Sequence, residues 1–287
     1  IKFYYRFMEK ITNKKFIDFI KSGDKKIQQK KKNSTRGDLL KDFETNIEVL
    51  ETLVEKRINN KNNEDSECYN NISFLLRTYI NATKFKFIDL TKGLISCINL
   101  GSYSGALVIS RTILENVAML DFKSSEFEKI LINKEYLRLL KELLKVNVKD
   151  YEKHKVKDYK RTHINDALRH YDKNQKRDIF KIYDPISERV HPSPSSFLMY
   201  QESTTIKNSY QQVSFSHNSE EIHDVIFSII CLVLTNISII VEDIYPLINK
   251  NLINLLENSR LSIDVHFKNN IKESDEHDEL LIYFNSK

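Results

Sequence analysis

Two short stretches of this chain hold side chains that can carry charge or move protons. The first is Ser110-Arg111-Thr112-Ile113-Leu114-Glu115, where Arg111 and Glu115 stand four apart among Leu107, Val108, Ile113, Leu114 and Ala118. A guanidinium among apolar side chains is costly unless its charge and donors are met, and Glu115, one helical turn on, is placed to meet them. Two readings follow. The pair is an internal ion pair that fixes helix register, or Arg111 lines a polar groove in which an anion is held with bidentate geometry. The second stretch runs from Tyr183 to Ser193 (YDPISERVHPS) and contains Arg189 and His191 just before Pro192. Histidine titrates near neutrality and can move protons, whereas arginine stays charged and can stabilise a growing oxyanion. Arg189 and His191 are only two apart, so they share a side only where the backbone is extended or turned. The plainer reading of His191 is a ring that hydrogen-bonds a neighbouring helix and fixes the loop.

Other chemistries have no residues to support them. There is no Gly-rich phosphate loop, no G-x-S-x-G elbow, no H-E-x-x-H and no C-x-x-C. The three cysteines, Cys68, Cys97 and Cys231, are odd in number and far apart in apolar surroundings, which argues for thiols in a reducing cytoplasm and against a disulfide framework or zinc knuckle. His163 and His170, seven apart, can share a helix face, either as metal ligands or as part of a solvated basic surface. The expectation is no cofactor and no metal.

Those residues need elements to position them, and composition says which. Five glycines and four prolines in 287 residues fall well below the usual ~7% and ~5%, which disfavours sandwiches, barrels, propellers and Gly-rich nucleotide folds. The expected fold class is all-α, a multi-helix bundle. Apolar spacing predicts helices over Leu39–Ile58, Cys68–Phe87 and Ile88–Leu100, a break at Gly101-Ser102, and a spine from Tyr103 to Phe122 that is apolar on nearly every face. A further amphipathic helix is predicted over 126–150. After Pro185 the helical period fades, and 199–215 allows a short β-hairpin. Helix resumes near Ser219 and runs to about Glu257. Within it, Val225–Val241 is uncharged but interrupted by Ser228, Thr235, Asn236 and Ser238, and acids flank it, so a buried core helix is expected and a membrane span is not.

Charge is distributed unevenly. The formal net charge is +5, mildly basic, and proves no nucleic-acid partner by itself. Residues 1–36, however, hold twelve Lys/Arg against three acids, and charges in IKFYYRFMEK leave no apolar segment of the kind a secretory signal needs. A second basic stretch contains Lys153, Lys155, Lys157, Lys160 and Arg161, either a solvated helix face or a track for a phosphate backbone. The expected organisation is a basic helical arm and linker over 1–66, a helical core over 67–250, and an acidic extension over 251–287.

Taken together, S-R-T-I-L-E at 110–115 and Y-x-x-x-S-E-x-V-H-P-S at 183–193 resemble a bacterial family of uncharacterised proteins whose helical core is related to HEPN domains, over roughly residues 68–250. HEPN proteins are helical bundles, often dimeric, and many are metal-independent ribonucleases of toxin–antitoxin, CRISPR-associated or abortive phage-defence systems. The resemblance therefore implies a cytoplasmic homodimer that acts on RNA, with an antitoxin or other defence protein as partner and no membrane. His191 would be general acid or base on the 2′-hydroxyl or the 5′-leaving oxygen. Arg189 or Arg111 would stabilise the phosphorane on the way to a 2′,3′-cyclic phosphate. Glu115 would hold Arg111, Ser187 and Ser193 would orient phosphate, and Tyr183 would stack on a base. The family pattern places Arg five to seven positions before His, whereas Arg189 precedes His191 by two. The alternative is a non-catalytic helical module that binds nucleic acid, a nucleotide or a defence partner.

Overall fold

The computed structural model describes residues 45, 48–55, 57–58, 67–147, 163–175, 179–190, 201–207, 210–215, 236 and 239–270. These are overwhelmingly helical, as an all-α bundle requires. In chain order they form α1 (Glu67–Asn99), α2 (Tyr103–Ile132), α3 (Tyr136–Asn147), α4 (Ile164–Gln175) and α5 (Phe180–Val190). An antiparallel ribbon follows, β1 (Gln201–Lys207) with β2 (Tyr210–Phe215), paired from Gln201↔Phe215 to Lys207↔Tyr210 with one irregularity between Gln201 and Ser203. Residues 240–258 then form α6, in which π turns (Ile240–Ile244 and Ile248–Ile253) flank Tyr245–Leu247, and α7 is Arg260–Asn270. Pro246 has no N–H to give the helical ladder, and the Tyr245 N–H reaches back five residues to the Ile240 carbonyl, which widens the turn around it.

Several boundaries differ from those the spacing predicts. The expected break between Phe87 and Ile88 is absent: α1 runs unbroken, with the Thr91 hydroxyl bonded to the Phe87 carbonyl at 2.7 Å. The spine does not stop at Phe122 but continues to Ile132. Both long helices end in the same geometry. After α1, Gly101 takes φ +70°, and the N–H groups of Gly101 and Ser102 bond the carbonyls of Ile98 and Cys97. After α2, Lys134 takes φ 58°, and the N–H groups of Lys134 and Glu135 bond the carbonyls of Leu131 and Ile130. The paired six-to-one and five-to-two bonds are those of the Schellman cap. Glycine announces the first cap in the sequence; a lysine hides the second.

The predicted helix over Leu39–Ile58 also ends early, at a turn on Leu53. Side chains of α1 take over its backbone groups there: Lys84 Nζ donates to the Leu53 carbonyl at 2.7 Å, while Asn81 accepts the Glu55 N–H (2.9 Å) and donates to its carbonyl (2.7 Å). Helix α5, in turn, runs through Pro185 to Val190. Tyr183 and Ile186 are buried on one face and hold it, while Pro185 faces solvent. The basic arm, the stretch 148–162 and the segments 191–200, 216–235 and 271–287 lie outside the described residues. So do the predicted helix start near Ser219, most of Val225–Val241, and Cys231.

The chain divides into two compact units. The first takes its described residues from Ile1–Val54, Thr83–Phe122 and Thr162–Tyr245. In it the C-terminal half of α1 lies close against the N-terminal half of α2: a Cβ on Gly105 would sit 2.9 Å from Cys97 Sγ, and one on Gly93 3.2 Å from Ile109 Cδ1. Phe87, Ile95, Leu107, Val117, Leu168 and Tyr171 are buried in this unit. Asn236, which interrupts the long apolar stretch, is itself buried and accepts the Tyr171 hydroxyl at 2.6 Å. That is the behaviour of a core polar residue with its bond made. No helix among the described residues is long and apolar enough to cross a membrane.

The second unit draws on Glu55–Ala82, Lys123–Arg161 and Pro246–Lys287. Helix α3 buries Tyr136, Leu139, Leu140, Leu143 and Leu144, the three-and-four spacing of one helix face. Lys123, almost wholly buried, donates to Glu126 (2.7 Å) and Glu142 (3.2 Å), and Lys145 completes the network on Glu142 at 2.6 Å. The acidic extension expected over 251–287 contains α7, whose Ile263 and Phe267 are buried. Its Asp264 accepts the Tyr69 N–H at 3.2 Å and so caps the first turn of α1 from a distant part of the chain.

Candidate functional site

Within the first unit the two stretches singled out in the sequence meet. Helix α2 places Arg111 and Glu115 one turn apart, and α5 brings Tyr183 against both. Arg111 Nε donates to Glu115 Oε1 at 2.8 Å and to the Tyr183 hydroxyl at 3.3 Å, and that hydroxyl donates to the same Glu115 oxygen at 2.6 Å. The guanidinium also lies over the Tyr183 ring, 5.4 Å from its centroid. One carboxylate oxygen thus receives two donors, and the cation is held from below by an aromatic face.

The surroundings are less buried than the apolar sequence suggests. The side chains of Arg111 and Glu115 keep 22% and 26% of their surface in solvent, so the ion pair alone is worth only a few tenths of a kcal/mol. Tyr183 is different: it is 6% exposed, and Phe180 packs edge-on against its ring at 6.5 Å. Burial, joined by the bond to the Glu115 carboxylate, raises the phenol above its ordinary range. For Arg111, burial works to lower the pKa, but the bonds to Glu115 and Tyr183 outweigh it and the net shift is upward. The cluster is therefore a guanidinium, a carboxylate and a neutral phenol. With its ring beneath the guanidinium, Tyr183 positions Arg111; it does not offer a free face on which a base could stack.

The remaining residues of the two motifs are not gathered at this point. Arg189 Nη1 donates to the Pro185 carbonyl of its own helix at 3.1 Å, and no bond joins Arg189 to the Arg111 cluster among the described residues. Six residues separate it from Tyr183, about 240° around a helix. Ser187 stands one turn after Tyr183, and Ser110, beside Arg111, has a buried hydroxyl without a hydrogen-bond partner among the described residues. His191 and Ser193 lie outside the described residues, as do Lys153, Lys155, Lys157, Lys160 and Arg161.

His163 and His170 do not act together. His163 sits at the start of α4, where its carbonyl accepts the Asp166 N–H and its Nδ1 accepts the Asn165 N–H at 3.4 Å. His170 belongs to a second polar cluster that the sequence reading does not anticipate: Asn174 Nδ2 lies 3.0 Å from Asp121 Oδ2 and 2.9 Å from His170 Nε2. The His170–Asn174 spacing of four is visible in the sequence, but the partner Asp121 is fifty residues away on α2. No group of three or more His, Cys, Asp or Glu side chains suited to a metal ion occurs among the described residues.

Comparison of the chain with protein-family models, with curated proteins and with solved structures finds no match in any of the three.

Proposed function

We propose that this chain is a cytoplasmic, HEPN-like helical protein of a bacterial toxin or phage-defence system that cleaves RNA without a metal, as a homodimer and under the control of a partner protein. The observation that supports it is the cluster of Arg111, Glu115 and Tyr183. It joins the S-R-T-I-L-E motif to the Y-x-x-x-S-E-x-V-H-P-S motif in one hydrogen-bonded group, with His191 eight residues beyond Tyr183 in the chain. In this reading Glu115 and Tyr183 hold the guanidinium in place, Arg111 stabilises charge on the phosphorane, and His191 transfers the proton between the 2′-hydroxyl and the leaving oxygen. The basic segment from Lys153 to Arg161 follows the RNA backbone.

One observation favours a second reading. Glu115 neutralises Arg111 and Arg189 is folded along its own helix, so neither cation is poised for a reacting phosphate. The cluster then serves as a fold lock or anion clamp in a non-catalytic module that binds nucleic acid, a nucleotide or a defence partner. Incubation of the full chain with total RNA in excess EDTA decides between them. Cleavage that persists in the chelator and disappears in His191→Ala supports the ribonuclease. Intact RNA with a salt-sensitive gel shift that Arg111→Gln abolishes supports the clamp and refutes the nuclease.

A further inference from the structure

The second polar cluster of the first unit has a chemistry of its own. Asn174 Nδ2 serves both Asp121 Oδ2 and His170 Nε2, while His170 Nε2 stands 3.6 Å from that same carboxylate oxygen. An amide nitrogen donates only and a carboxylate oxygen accepts only. Asn174 therefore gives one hydrogen to each neighbour, and His170 Nε2 must present its lone pair. The imidazole is neutral in this arrangement and carries its hydrogen on Nδ1. The presence of Asp121 fixes the amide orientation, since the opposite one would set the amide oxygen against the carboxylate.

We propose that Asp121, His170 and Asn174 form a proton-operated joint between α2 and α4, in which the Asn174 amide and the Asp121 carboxylate exchange places on one imidazole nitrogen. Proton uptake turns Nε2 from acceptor to donor, and two N–H donors 2.9 Å apart cannot share that space. The amide turns or withdraws, and the nearest acceptor for the new N–H is Asp121 Oδ2, which closes from 3.6 Å to an ion pair. The ring packs edge-on to Phe122 at 5.4 Å and 86°, a contact that turning of the amide leaves in place. From α2, Asp121 is the charged group facing the ring among the described residues. On α4, Asp166 is turned to Arg169 at 3.4 Å, Asp172 accepts the Ile179 N–H at 2.7 Å, and Lys173 is exposed one turn on. Burial raises the Asp121 carboxyl pKa, opposed by the Asn174 bond and by His170, and an imidazolium is a stronger opponent than an amide.

The joint is independent of whether the protein cleaves RNA, and it is tested on the full chain by NMR. Histidine ring nitrogens are followed by long-range proton–nitrogen correlation through a pH titration, together with the Asn174 side-chain amide signals. The expected result is a neutral His170 with its hydrogen on Nδ1, and Asn174 amide signals that shift with the same midpoint as the imidazole. In Asn174→Leu the preference for the Nδ1–H form is lost. A neutral His170 protonated on Nε2, or Asn174 amide signals that stay still while the ring titrates, would overturn the proposal.

Discussion

Tyr183→Phe isolates the bond that ties α5 to the charged pair on α2. The variant keeps the ring beneath the guanidinium and removes only the hydroxyl, which donates to Glu115 at 2.6 Å and accepts from Arg111 at 3.3 Å. A hydrogen bond to a charged group contributes about 1.5–3 kcal/mol net. Glu115 and Arg111 retain roughly a quarter of their side-chain surface in water and rehydrate when the hydroxyl is gone, which brings the expected loss to about 1–2 kcal/mol. Urea unfolding followed by circular dichroism measures it, and a double-mutant cycle with Glu115→Gln should return a coupling of at least about 0.5 kcal/mol. The pH dependence has a definite sign. The phenol pKa is raised in the folded state, so its contribution is fully present below the ordinary tyrosine range near ~10 and is lost as pH rises through the folded value. Tyr183→Phe should flatten that alkaline decline. A loss below about 0.5 kcal/mol, the usual range for an exposed substitution, together with zero coupling to Glu115, refutes the argument that Tyr183 positions the pair.

Two further outcomes follow from the second unit. Lys134 holds φ 58° with a Cβ that disfavours it, so Lys134→Gly should stabilise the protein by about 0.5–1 kcal/mol even after the entropy that glycine adds to the unfolded chain; a loss of stability in the same urea titration would contradict the cap geometry. Burial alone would raise the Glu142 pKa, but the bond to Lys145 and the charge of Lys123 outweigh it and the net shift is downward. Its contribution is therefore present above the ordinary carboxylate range and lost as pH falls through the depressed folded value. Glu142→Gln should cost about 1–3 kcal/mol at neutral pH, because nearly buried Lys123 keeps only Glu126, and it should weaken the acid dependence. An acid limb identical to that of the parent protein would count against the network.

The contrast between the two helix caps explains which parts of this fold can be read from sequence. Gly101 marks the end of α1 because glycine is the residue that takes positive φ without steric cost, whereas the same turn at Lys134 leaves no compositional trace, and spacing alone ends the spine ten residues too soon. Periodicity finds α1 but not its continuity through Phe87 and Ile88, since the buried positions on either side, Lys84 and Thr91, are polar and interrupt the apolar spacing. The same limit governs the polar clusters. Arg111 and Glu115 are legible because both partners lie on one helix within a turn. Tyr183 is legible only as a member of a motif, and its place under the guanidinium depends on how α5 meets α2. Asp121 and His170 share no local pattern at all, yet they face each other at 3.6 Å once α4 packs on α2. Local spacing reveals pairs within a helix; pairs between helices are set by which apolar faces meet. The strongest inference available from one chain is therefore the one in which an intrahelical pair, here Arg111 with Glu115, also captures a side chain from a remote motif, because chance spacing does not account for that third contact.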